Sequence, residues 1–205
     1  MTGKTHLAAG IATGLGACII ITQIDPDLAT AGVVTTAVVC SSLGSLMPDI
    51  DCESACISHL GLLSRLLSKL CSSISSHRRF WHTPIAGLIF ATTTMLTFIG
   101  LSMIQIPVIQ DRIIKIPIYI PFILFYLGWL SHLLLDTCNY QGVPWIWPFA
   151  PLSKKKRFKR IAITTASEQE VYYKVLCVLT AFALTLLWIN YFFHDILYTI
   201  INELL

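Results

Sequence analysis

The chain has 205 residues, of which 55% are hydrophobic and only 12% charged, with a formal net charge of +3. An ordinary soluble domain carries about a quarter charged residues, so this balance excludes a conventional water-solvated fold. The mean hydropathy of +0.73 points to a chain solvated by lipid.

Apolar runs of roughly 17–25 residues with few or no charges mark bilayer-crossing helices. Such runs lie at 7–24, 28–47, 84–106, 116–135 and 175–193. The expected fold class is therefore all-α, a multi-pass transmembrane helical bundle of about five spans. A polar turn at Asp25 and Asp27 separates the first two. Lys4 ahead of small apolar residues resembles a signal peptide, but four similar segments follow, so the first run reads as a retained helix. Gly10 and Gly14, four apart, allow a neighbouring helix to approach closely. Pro48 in PDID is expected to end the second helix and leave Asp49 and Asp51 on extended backbone, with their side chains pointing the same way.

Residues 57–74 place Leu60, Leu63, Leu67 and Leu70 at helical spacing, with Ser64, Arg65, Ser68 and Lys69 opposite. This pattern predicts an amphipathic helix on the cytoplasmic surface, with packing over the bundle as the alternative. HRRFWH at 77–82 precedes the third span, and His132 and Asp136 close the fourth. KKKRFKR at 154–160 suits anionic phospholipid headgroups, although topology alone accounts for it, and no nucleic-acid partner is expected. Ser167 and Glu170 form a capping box, so the last helix should begin near Glu168. No repeat or boundary divides the chain, and a single domain over 1–205 is the simplest account.

Five crossings put twelve of the fourteen lysines and arginines on one side of the membrane, against Arg112 and Lys115 on the other. The positive-inside rule makes the first side cytoplasmic. The seven cysteines are odd in number and three lie within spans, which argues against a disulfide framework. Cys52 and Cys56 have zinc-ligand spacing but lack a second thiol pair.

Ionisable groups at membrane depth cost several kcal/mol and raise a functional question by default. Here His6 opens the first span, Asp49 and Asp51 follow the second, His77 and His82 precede the third, and His132 and Asp136 end the fourth. All four groups fall at the cytoplasmic ends of their helices in a topology set by lysines and arginines alone. His132 and Asp136, four apart, share one helical face. His77 and His82, five apart, do not, so at least one belongs to the turn before the third helix. His59 and His194 stand outside the pattern. Four histidines and three aspartates form a nitrogen and oxygen set suited to zinc, manganese or iron, and seven ligands exceed one tetrahedral shell. Two divalent ions would use them and could clamp the oxygens of a phosphoryl displacement.

At these residues the sequence resembles the LexA-regulated, membrane-bound metal-dependent hydrolases of the bacterial inner membrane. The resemblance runs through His6 in THLAAG, PDID at 48–51, HRRFWHT at 77–83, SHLLLDTCNYQGV at 131–143 and WPF at 147–149, over roughly residues 1–150. Trp81 departs from it, standing where members often have threonine. That family is grouped with the phospholipase C and P1 nuclease superfamily, which hydrolyses phosphoesters with clustered metal ions. The resemblance implies that His6, Asp49, Asp51, His77, His82, His132 and Asp136 are the metal-site residues.

The leading expectation is a metal-dependent hydrolase of phosphoester bonds, in a phospholipid or another phosphodiester, at the cytoplasmic membrane face. Asp51 is the candidate proton acceptor, Arg78 and Arg79 are candidate phosphate holders, and Trp145, Trp147 and Phe149 form either a lipid-pocket wall or an interfacial belt. A divalent metal-ion transporter is the second expectation. The helix-end location weighs against it, because transporter sites lie near the midplane. A non-catalytic membrane protein with a structural metal is the third.

Overall fold

The computed structural model describes residues 1–52, 57, 61–74, 80–103, 116–139, 141–149 and 163–204. Within them run six α-helices: α1 (Gly3–Ile24), α2 (Ala31–Leu46), α3 (Leu62–Ile74), α4 (Pro84–Ser102), α5 (Tyr119–Thr137) and α6 (Glu168–Leu204). Five of them, all but α3, are long and apolar enough to cross a membrane. His77, Arg78, Arg79, His59, Cys56 and the basic run at 154–160 lie outside the described residues.

The helices meet where side chains are smallest. A Cβ on Gly10 would stand 2.9 Å from the Ser41 carbonyl oxygen, and one on Gly14 would stand 2.5 Å from that of Ala37. The Gly10/Gly14 pair therefore lets α1 lie directly on the backbone of α2, as small-residue pairs do between membrane helices. Gly44 and Gly128 do the same between α2 and α5, each facing the other helix's backbone. Helix α4 packs on α5 around Trp129, whose ring fills the space beside Gly87 and whose Nε1 donates to the Thr83 carbonyl oxygen at 3.0 Å. Helix α6 packs on α1 and leaves most of its apolar surface uncovered.

Two expectations change. Helix α2 does not give way to extended backbone at Pro48 but runs on into a 3-10 helix over Met47–Asp51. Proline is tolerated there because its missing N–H falls in the first turn, where no partner is needed. At three residues per turn, positions two apart point about 120° away from each other, so Asp49 and Asp51 diverge instead of sharing a side.

The second change concerns α3. It packs on the Met47–Asp51 turn through Ser68 and Cys71, both buried, while Leu62, Leu66, Leu67 and Leu70 are exposed. Thus the amphipathic helix meets the bundle through Ser68 and Cys71 and turns these four leucines outward. Trp81 anchors it, donating from Nε1 to the Cys71 carbonyl oxygen at 3.1 Å. The residue that departs from the family pattern therefore serves the surface helix.

Candidate metal centre

The first turn of α1 and the start of α6 are tied together beside the candidate site. Helix α6 begins as its capping box predicts, with the Glu170 N–H donating to Ser167 Oγ at 3.3 Å. The buried Glu170 carboxylate accepts from the Ala166 N–H at 2.6 Å, from Thr5 Oγ1 at 2.8 Å and from the Thr2 N–H. It thereby caps α6 and satisfies donors at the first turn of α1, fixing that turn and with it His6. The sequence pattern shows the cap but not this second use.

His6 enters the site from α1, Asp49 from the 3-10 turn after α2, His82 from the turn Phe80–His82 before α4, and His132 and Asp136 from the last turns of α5. Thr83 shapes the His82 turn, its Oγ1 accepting from the Ala86 N–H at 3.2 Å to cap α4. His82 Nε2 lies 3.3 Å from Asp49 Oδ1 and 3.7 Å from Asp136 Oδ2. His132 Nε2 lies 3.8 Å from Asp49 Oδ1 and 3.6 Å from Asp136 Oδ2, and His6 Nε2 lies 3.5 Å from Asp136 Oδ1. The His6 and His132 rings stack with centroids 3.7 Å apart. The buried α-amino group of Met1 donates to Asp136 Oδ1 at 2.9 Å.

Four features of these residues would suit a cation. His6, Asp49 and His132 form one set with ligand atoms within 4.8 Å of one another, and His82, His132 and Asp136 form a second. Among the described residues, neither ring nitrogen of the fully buried His6 has a hydrogen-bond partner, and neither does His132 Nε2. A buried polar atom left so is costly unless something else occupies its lone pair. The nitrogen-to-oxygen spacings of 3.3–3.8 Å resemble the edge of a ligand tetrahedron, about 3.4 Å for bonds of ~2.1 Å. Burial holds the His82 imidazole below its ordinary pKa despite the opposing pull of Asp49, which favours the neutral, ligating form.

Five of the seven expected ligands thus converge. Asp51 is buried but belongs to neither set among the described residues, and its carboxylate instead bears on Cys71, whose thiol is pushed up by burial and, secondarily, by that charge. Trp145 donates to Thr137 Oγ1 at 2.8 Å, Trp147 meets Phe80 edge-on at 5.3 Å, and Phe149 is exposed. His194 lies 26 residues beyond the start of α6, roughly 39 Å along the helix.

The family described as YdjM inner membrane protein matches residues 1–197. A protein of Bacillus subtilis (strain 168) described as "Uncharacterized protein YvsG" is 32% identical over 150 residues, covering 72% of this chain and 74% of that protein. No solved structure matches the chain. With five candidate spans and a family match over nearly its whole length, the chain belongs to the YdjM inner membrane protein family and is a multi-pass inner membrane protein.

Proposed function

We propose that the protein is a metal-dependent hydrolase of phosphoester bonds working at the cytoplasmic face of the inner membrane. The observation that carries this reading is the buried cluster of His6, Asp49, His82, His132 and Asp136, drawn from four separate elements to one end of the bundle. Its place at the helix ends suits substrate arriving from the membrane surface better than an ion crossing at the midplane. Asp49 is the cluster carboxylate that reaches the surface, with its side chain 14% exposed. It therefore takes over from Asp51 as the candidate proton acceptor, because it faces both incoming substrate and the histidines. A bound pair of divalent ions, with zinc the first candidate, would supply charge stabilisation for the phosphoryl oxygens and acidify water. His132 and Asp136 would hold ions, and the apolar helices around them would exclude bulk water, strengthening those electrostatic effects.

The test is a hydrolysis screen of the zinc- and manganese-loaded protein against phosphatidylglycerol vesicles and bis(p-nitrophenyl) phosphate, with Asp136→Ala alongside. Turnover by the wild type and none by the variant supports the reading. No turnover by the metal-loaded wild type, with Asp136-dependent zinc uptake into liposomes, would replace it with ion transport.

A further inference from the structure

A groove of about 850 Å³ runs between α2 and α4, floored by Phe125 of α5. Val39 and Leu43 line one wall and Thr94 and Phe98 the other, while Met47 and Ile50 line the end nearest the cluster. We propose that this groove holds an acyl chain of a membrane phospholipid and presents that lipid's phosphoester headgroup to the His–Asp cluster. The proposal takes its chemistry from the hydrolase reading, but the binding it asserts stands apart from it.

Three observations select this occupant. Four of the five groove threonines direct their hydroxyls to their own helices, Thr35 to Ala31, Thr93 to Ile89, Thr94 to Phe90 and Thr97 to Thr93, at 2.7–3.0 Å. They therefore offer methyl groups to whatever lies in the groove, and an apolar ligand loses nothing by entering. From Thr35 to Met47 the α2 wall is twelve residues long, or ~18 Å at 1.5 Å per residue. That exceeds one leaflet and falls well short of the ~30 Å hydrocarbon core, which suits an extended chain entering from one side. Finally, Val39, Leu43, Thr93 and Thr97 are exposed as well as groove-lining, so the groove opens sideways toward lipid. At the end lined by Met47 and Ile50, Ile50 lies between Asp49 and Asp51 in the chain, and Leu62 and Leu67 of α3 continue the apolar surface.

The test uses proteoliposomes of phosphatidylethanolamine and phosphatidylglycerol, doped with a phosphatidylglycerol carrying a diazirine midway along one chain. Photolabel should concentrate on 39–47 and 90–98, about tenfold over the lipid-facing stretch 175–187, a preference of ~1.4 kcal/mol. Thr94→Trp, which fills the groove, should bring labelling down to the α6 level, and Ile20→Trp on the exposed side of α1 should not. Thr97→Phe at the rim replaces Thr94→Trp if that variant does not fold. Uniform labelling in the wild type, or labelling indifferent to both groove substitutions, overturns the proposal. An activity arm separates it from the hydrolase reading. Thr94→Trp should lose phospholipid turnover while retaining that of bis(p-nitrophenyl) phosphate. Focused labelling with neither substrate hydrolysed would retain the lipid site and reject the chemistry. Uniform labelling with both substrates still hydrolysed by Thr94→Trp would reject the lipid site and retain the chemistry.

Discussion

His132 donates from Nδ1 to the carbonyl oxygen of Ser45 at 2.7 Å, a bond from α5 to the last turn of α2. A carbonyl oxygen can only accept, so Nδ1 carries a proton and Nε2 is the ring nitrogen turned toward Asp49 and Asp136. Orienting a histidine in this way is what an outer partner does for a metal ligand. The bond depends on the close approach of α2 to α5, which the glycines at their crossing permit.

The small-residue crossings should be intolerant of added volume. Gly14→Leu is expected to drive α1 off the Ala37 backbone and cost about 1–3 kcal/mol, seen as a lower thermal midpoint in detergent. Gly16→Ala is the control, since its Cβ would meet nothing closer than Leu184 Cδ1 at 3.6 Å. Equal midpoints for the two variants would contradict the packing account.

Glu170 should matter for both stability and metal. Glu170→Ala removes the acceptor for Thr5 Oγ1 and the Thr2 and Ala166 N–H groups. The expected loss is about 2–3 kcal/mol, since hydrogen bonds to a charged group are the stronger kind. Zinc affinity should fall with it, because the first turn of α1 that carries His6 is no longer held. Glu170→Gln, which keeps an acceptor oxygen, should lie between. A metal titration unchanged in Glu170→Ala would separate that clamp from the site.

Sidedness can be read chemically. A cysteine introduced at Lys156, in a background where the native thiols are replaced, should react with a membrane-impermeant maleimide only after the cells are opened. Labelling in intact cells would reverse the topology and place the cluster at the outer face.

Much of this arrangement is written in the residues. The five spans follow from uncharged length, Gly10 and Gly14 announce the α1–α2 contact, and the placing of His6, Asp49, His82, His132 and Asp136 at alternating helix ends foretells their meeting. What stayed hidden has physical reasons. Pro48 can end a helix or occupy the first turn of another, and only the backbone path decides whether Asp49 and Asp51 agree in direction. The leucines of α3 mark an apolar face without saying whether it meets protein or lipid. Ser45 contributes a backbone carbonyl, and no side-chain pattern reveals that. Glu170 is legible as a cap, but its grip on Thr2 and Thr5 joins residues over 160 positions apart.

The account stands most directly on the metal content of the purified protein. After zinc loading and removal of free metal, elemental analysis of the wild type should find at least one ion per chain, since the two ligand sets share the one His132 nitrogen not bonded to Ser45. His132→Ala, which removes the ligand common to both sets, should lose essentially all of it while inserting and folding normally. His194→Ala, at the far end of α6, should retain it. A wild type that holds no zinc, or a His132→Ala protein that holds as much as the wild type, would contradict the metal centre itself.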